Sequence, residues 1–183
     1  MVERYVYLVF QIDTNRINSK QRLESMNQLE QWHRNGVIRF EMSEPSLGEI
    51  LSEGDAKRTR KAAEYIYSLT EATTESEAKQ RKRIADILFP NGVRNRNQQN
   101  DVDIVFNAAK YGRIRVTNDG GSKSQPGGIL GNADKLKSEF GVRVVTDAEA
   151  VSIVRSAIDQ RDTRAKFIAE RRGEGLPDWV ESD

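Results

Sequence analysis

An apolar run at residues 5–12 (YVYLVFQI) ends on Asp13, and a second segment, residues 101–119 (DVDIVFNAAKYGRIRVTND), closes on another aspartate. Aromatic and β-branched residues dominate the first run, as expected of a first strand buried on both faces, the habit of parallel sheets covered by helices. In such a sheet ligands bind at the carboxyl ends of the strands. Aspartates delivered there by two separate strands can converge on one metal ion.

The rest of the chain alternates between the two periodicities. Ser19 opens a helix whose apolar positions Leu23, Met26, Leu29 and Trp32 form one stripe, and Gly36 stops it. Residues 37–42 (VIRFEM) form the second strand. Ser46, with Glu49 as its capping-box partner, starts a short helix. Residues 57–69 and 75–88 read as solvated helices, the second with a basic turn at Lys79, Arg81, Lys82 and Arg83. Residues 91–100 (NGVRNRNQQN) are nearly devoid of apolar content and read as a loop holding Arg94 and Arg96. Asp101 then begins a helix that Gly112 ends, before a strand at 113–117. A Gly-, Ser- and Pro-containing loop (GGSKSQPGGILGN) follows; it lacks the G-x-x-x-x-G-K spacing of a P-loop and reads as a rim offering Lys123, Ser124 and Gln125 to substrate. A helix at 133–140, a strand at 142–145 and a long helix from Asp147 to about Arg171 complete the pattern. This order predicts the α/β class: a three-layer α/β/α sandwich around a mostly parallel central sheet of four to five strands, in a single domain over 1–172. Residues 173–183 read as an exposed C-terminal tail, with Trp179 suggesting a docking point.

Composition narrows the function. The chain has 29 Lys and Arg against 28 Asp and Glu, a net charge of +1, so a nucleic-acid site must be a local patch rather than a basic coat. It has no cysteine, which removes disulfides, thiolate nucleophiles and zinc-thiolate sites and suits a reducing cytoplasm. The apolar N-terminal run holds Gln11 and Asp13 and lacks a small-residue cleavage site, so it does not read as a signal peptide. No apolar run approaches a membrane span. The expectation is a cytoplasmic protein with no membrane association.

The run D-x-x-I-x-x-x-A-x-x-x-G from Asp101 through Ile104 and Ala108 to Gly112, followed by V-T-N-D at Val116 to Asp119, resembles the distal half of a PIN-domain nuclease. Upstream, the strand ending in Asp13, Thr14 and Asn15 is similar to the family's opening strand, and the helix carrying Glu49 is similar to the place of its second acid. The resemblance covers residues 5–151. It implies an α/β/α sandwich that hydrolyses RNA with four acids holding Mg²⁺ or Mn²⁺ at one end of the sheet. Those acids fall on Asp13, Glu49, Asp101 and Asp119. Asp103 competes with Asp101 for the third place, because two positions along a helix lie about 200° apart and both cannot face the cleft alike. Thr14, Asn15, Thr117 and Asn118 sit beside the acids as supports for a carboxylate, a water or a phosphate. The further acid that sometimes follows the fourth in this family is missing here, where Gly120, Gly121 and Ser122 stand, which puts a second metal in doubt.

Hard divalent ions prefer oxygen ligands and keep several waters, so a few carboxylates suffice and neither His nor Cys is needed. Arg94 and Arg96, leading into the third acid, are candidates to neutralise substrate phosphates. Each acid also has a structural reading: Asp13 and Asp119 as turn starters, Glu49 as a cap partner, Asp101 as a charge at a helix N-terminus. His33, beside Trp32 near a helix end, reads as structural. The resemblance implies an RNA substrate. It leaves open a toxin held by an antitoxin, an RNA-processing enzyme, a homodimer, and a non-cleaving scaffold that binds RNA or protein. A phosphohydrolase with an acyl-phosphate intermediate is disfavoured, since no D-x-D-x-T follows the first strand.

Overall fold

A computed structural model describes residues 2–121, 125 and 127–183. Alternation within the strands builds the sheet. In β1 (Val9–Ile12), β2 (Arg39–Ser43) and β4 (Ile114–Val116), the residues Phe10, Ile12, Phe40, Met42, Ile114 and Val116 share one apolar core. Their neighbours Gln11, Glu41 and Arg115 therefore face the other side of the sheet. With β3 (Ile66–Ser68) and β5 (Arg143–Val145) the order is β3-β2-β1-β4-β5, and every adjacent pair is parallel.

Helices cover both faces. Met26, Leu29 and Trp32 of α1 (Glu24–Arg34) and Val154 and Ile158 of α7 (Asp147–Arg172) close the first core. Ile84 and Leu88 of α4 (Glu75–Leu88), Val105 and Phe106 of α5 (Arg96–Tyr111) and Leu136 of α6 (Ala133–Phe140) form a second core with Val144 of β5. Between β2 and β3 lie α2 (Glu44–Glu53) and α3 (Ala56–Ala62). The result is the α/β/α sandwich expected from the element order, with five strands, all parallel.

Several local expectations are corrected. The first strand begins only at Val9, because Tyr7 adopts φ 57°, a left-handed conformation that breaks the extended run. Helix α1 starts at Glu24 rather than Ser19, after Gln21 makes a similar left-handed turn at φ 54°. Residues 57–69 divide into α3 and the edge strand β3. Ser43, not Ser46, precedes α2; the two hydroxyls bond each other at 3.0 Å, and Glu49 is free of any capping role. Helix α5 starts five residues earlier than Asp101, at Arg96, with the Asn95 side chain accepting from the Gln98 amide at 3.0 Å.

The C-terminal segment docks. The Arg161 guanidinium lies 4.5 Å from the centre of the Trp179 ring and donates to Asp183 at 2.9 Å, and Arg4 also pairs with Asp183, tying both ends of the described chain to α7.

Candidate active site

Four carboxylates gather at the carboxyl edge of the sheet. Asp13 follows β1 and is 7% exposed. One of its oxygens accepts from Arg115 at 2.8 Å and from the Thr14 hydroxyl at 3.4 Å, and the other accepts from the Thr117 hydroxyl. Parallel register makes this possible. Ile12 pairs with Val116, so the first residues beyond the two strands, Asp13 and Thr117, meet side by side.

Asp119 is held by the loop it opens. Its two oxygens accept from the backbone amides of Gly121 at 3.2 Å and Ile129 at 2.9 Å, and its carbonyl accepts from Leu130 at 3.2 Å. Gly128 has φ 57°, and a Cβ there would stand 2.8 Å from an Asp119 carboxylate oxygen and 2.6 Å from its carbonyl oxygen. Only glycine allows the loop to fold back this closely. Lys123 and Ser124, candidate substrate contacts of the same loop, lie outside the described residues.

Glu49 projects from the second turn of α2 and accepts from the Asn100 amide of α5 at 3.1 Å. Burial raises its pKa above the ordinary range, with the charge of Asp13 adding to the rise and the Asn100 bond opposing it. Asp101, on the second turn of α5, is the member of the group with no hydrogen bond from a described residue. Burial, then the charges of Asp119, Asp13 and Glu49, push its pKa up to about 7. The three other acids therefore all act on Asp101.

Asp103 is engaged by partners of its own: its carboxylate accepts from Arg81 at 2.6 Å and from Gln99 at 3.0 Å, and it lines the groove between α2 and α5 together with Glu49. Among the supports, Thr14 and Thr117 touch the acids, whereas Asn118 is exposed and Asn15 is exposed and bonded by its neighbour Arg16 at 3.1 Å. Arg94 and Arg96 are both exposed. Arg96 stands in the first turn of α5, not in a loop, and with Glu44, Glu49, Ser52 and Asn100 it lines a groove of about 560 Å³ between α2 and α5. Arg94 is not in that lining. The basic turn of α4 is largely neutralised: Lys79 pairs with Glu75 at 2.6 Å, Arg81 with Asp103 at 2.6 Å and Arg83 with Glu139 at 2.9 Å. His33 is structural, stacked 4.9 Å from Phe40 with its pKa lowered by burial.

Sequence reasoning missed what lies beneath the acids. Glu41, Gln11 and Arg115 are adjacent in register across β2, β1 and β4, and all are buried. Arg115 donates to Gln11 at 3.3 Å; Gln11 donates to Asn107 at 2.7 Å; and Asn107 accepts from Ser68 at 2.9 Å. Alternation could have revealed it: three polar residues fall at the inward positions of central strands, where apolar residues are the rule.

The donor set suits a hard divalent cation in its chemistry, since Asp101 offers a carboxylate with no hydrogen bond from a described residue, and Glu49 and Asp119 contribute to the field around it. Among the described residues, however, no three acidic or histidine side chains stand together as a ready ligand set. Nor is any helix among them long and apolar enough to cross a membrane.

No family model matches the chain, and no curated protein does. Among solved structures, the chain is similar to that of VapBC2 from Rickettsia felis bound to a DNA fragment from their promoter, with 17% identity and a TM-score of 0.47 over 76% of this chain and 98% of that one.

Proposed function

We propose that this protein is a PIN-like, divalent-metal-dependent ribonuclease that hydrolyses phosphodiester bonds. The observation that carries the reading is the position of Asp101, whose carboxyl group is held in the combined field of Asp13, Glu49 and Asp119, brought from two strand ends and one other helix. Glu49, Asp101 and Asp119, with Asp13 beside them, would be the residues to hold Mg²⁺ or Mn²⁺, and the chemistry supplied there would be a more acidic water and neutralised charge on the attacked phosphate.

The chain's own residues supply the rest. Thr117 and Arg115 fix the rotamer of Asp13, and the loop amides of Gly121 and Ile129 fix Asp119. Arg96, in the groove beside Glu49, is placed to pair with a phosphate next to the scissile one. The other charged residues of that groove, Glu44, Glu49 and Asp103, are acidic, so Arg96 is the basic contact that its described lining offers a phosphate.

A cleavage assay on RNA and single-stranded DNA, with and without Mg²⁺ or Mn²⁺, run beside Asp119→Asn, tests the reading. Divalent-dependent RNA cleavage by the wild type and its loss in Asp119→Asn are expected. The ion pair that Asp13 makes with Arg115 favours a second reading, a scaffold that binds RNA without cutting. Retained RNA binding with no cleavage in either ion would establish the scaffold and refute the nuclease.

A further inference from the structure

The amino edge of the sheet, opposite the acids, carries a different set of side chains. Because every strand is parallel, Tyr5 and Tyr7 ahead of β1, Arg39 at the start of β2 and Arg143 at the start of β5 all stand at that edge. At least the length of β1, roughly 13 Å, separates them from the carboxylates. Two grooves open there along α7. One, of about 470 Å³, is lined by Tyr5, Tyr7, Gln160 and Arg164, and the other, of about 450 Å³, by Arg143, Ser152, Ser156 and Gln160. They share Ala157 and Gln160 as walls and so form one trough. Ser152, Ser156, Gln160 and Arg164 follow one another at four-residue steps on one face of α7 and border the trough for about 18 Å. The rings of Tyr5 and Tyr7 lie 4.9 Å apart, and the Arg39 guanidinium stands 5.6 Å from the centre of the Tyr5 ring.

Tyr7 is the unusual member. Its φ of 57° is disfavoured for a bulky residue, and it leaves the ring 71% exposed while Val6 and Leu8 on either side pack against the core. Arg39, Arg143 and Arg164 are exposed, and none of them pairs with a carboxylate among the described residues. Glu3, the one carboxylate in the described lining of the trough, accepts from the Tyr7 hydroxyl at 2.6 Å. We propose that this trough is a second, non-catalytic binding site for single-stranded nucleic acid. Bases stack on Tyr7, with Tyr5 behind it, and phosphates meet Arg39, Arg143 and Arg164. The serine hydroxyls and the Gln160 amide face sugars and base edges. A row of serines and a glutamine between three cations offers a protein partner little apolar area, whereas a polyanion with stackable bases uses every part of it. The inference does not depend on cleavage at the acids.

Fluorescence anisotropy of a labelled 12-nucleotide RNA titrated with the full chain in chelator tests the site, with the single DNA strand of the same sequence and the RNA duplex as further probes. Wild type should bind both single strands and bind the duplex more weakly than either. Tyr7→Gly removes the ring yet suits the left-handed backbone, so the melting temperature should hold while the single strand binds about tenfold more weakly, the size of one base–aromatic stack. Tyr7→Phe, which keeps the ring, should stay within about threefold of wild type. Arg143→Gln combined with Arg164→Gln should flatten the slope of log affinity against log salt by about 1.4, roughly 0.7 for each phosphate contact on a single strand. Failure of wild type to bind either single strand, preference for the duplex, wild-type affinity in Tyr7→Gly, or an unchanged salt slope in the arginine pair would each overturn the inference. The arginine pair, exposed at the surface, decides the matter should Tyr7→Gly not fold. Absence of RNA cleavage in Mg²⁺ alongside these binding changes would refute the nuclease and leave the trough standing.

Discussion

Asp101→Asn should stabilise the metal-free protein, and only at neutral to alkaline pH. The Asp101 carboxyl rises from 3.8 to about 7 in the folded chain, first through burial and then through the neighbouring acids. A carboxyl whose folded pKa exceeds its unfolded value contributes stability that is complete below the unfolded pKa and lost as pH climbs through the folded one. The window is therefore about pH 4 to 7. At about 1.4 kcal/mol per pH unit the ceiling is near 4 kcal/mol, and solvent screening together with sharing of protons among the acids reduces it to about 2 kcal/mol. In chelator, wild-type stability should fall by about that amount between pH 5 and pH 8, whereas Asp101→Asn should stay flat. At pH 8 the variant should melt roughly 4–8 °C higher than wild type, and at pH 5 the two should nearly coincide. Saturating Mg²⁺ reverses the order, since an ion that binds only the folded wild type adds about 2.7 kcal/mol at a hundred times its dissociation constant. Calorimetric melts at the two pH values, with chelator and with Mg²⁺, give every quantity. Parallel pH profiles for wild type and variant in chelator would refute the electrostatic account of the cluster.

The loop and the groove give two further expectations. Gly128→Ala should place a methyl against the Asp119 carbonyl and carboxylate, displacing the acid. RNA cleavage should drop roughly 100-fold while circular dichroism shows an intact fold, and near-normal activity would show that the loop does not position Asp119. Arg96→Ala should weaken RNA binding and reduce the slope of log affinity against log salt by about 1, with Arg94→Ala producing a smaller change. Equal effects from the two would remove the α2–α5 groove as the path of the backbone.

The sheet and its long helices were legible because each buries one continuous face. The helix at Ala133–Phe140 matches its sequence reading residue for residue, and α4 is read from the stripe Ile84, Ile87 and Leu88. What escaped was short or polar. Strand β3 has three residues, too few for alternation to register, and its Ile66 and Tyr67 are exposed, so pairing with β2 rather than burial makes it a strand. The first turns of α5 are written in Asn, Gln and Arg, and they are helical because Asn95 caps the helix and the buried Gln98 side chain accepts from the Arg94 amide at 2.7 Å. Asp13 and Asp119 could be found because strand ends mark the ligand edge of a parallel sheet. Spacing back from Gly112 and Asp119 favours Asp101 over Asp103 already in the sequence, and the structure adds the reach of Arg81 across from α4 to Asp103.

The polar row beneath the acids explains why the site sits on the sheet and not only on its loops. Glu41, Gln11, Arg115 and Asn107 are buried at the packing face of α5, where an apolar set would pack at lower desolvation cost. Each one fixes the next: the Ser68 and Leu69 carbonyls hold Asn107 at 3.3 and 3.0 Å, Asn107 holds Gln11, Gln11 holds Arg115, and Arg115 holds Asp13. A carboxylate on a strand end alone could rotate about two torsions, whereas one gripped by a guanidinium and a hydroxyl has a single rotamer. The edge strand is thus linked to the acid by hydrogen bonds that pass through the middle of the sheet. Replacing Gln11 and Asn107 together by leucine should then cost about 1–3 kcal/mol for each buried group left unpaired, since Arg115 Nη1 and the Ser68 and Leu69 carbonyls lose their partners while the acid loses its anchor. A fall in RNA cleavage by the folded variant, beyond the fraction of protein lost to unfolding, is what separates a positioning network from a merely structural one.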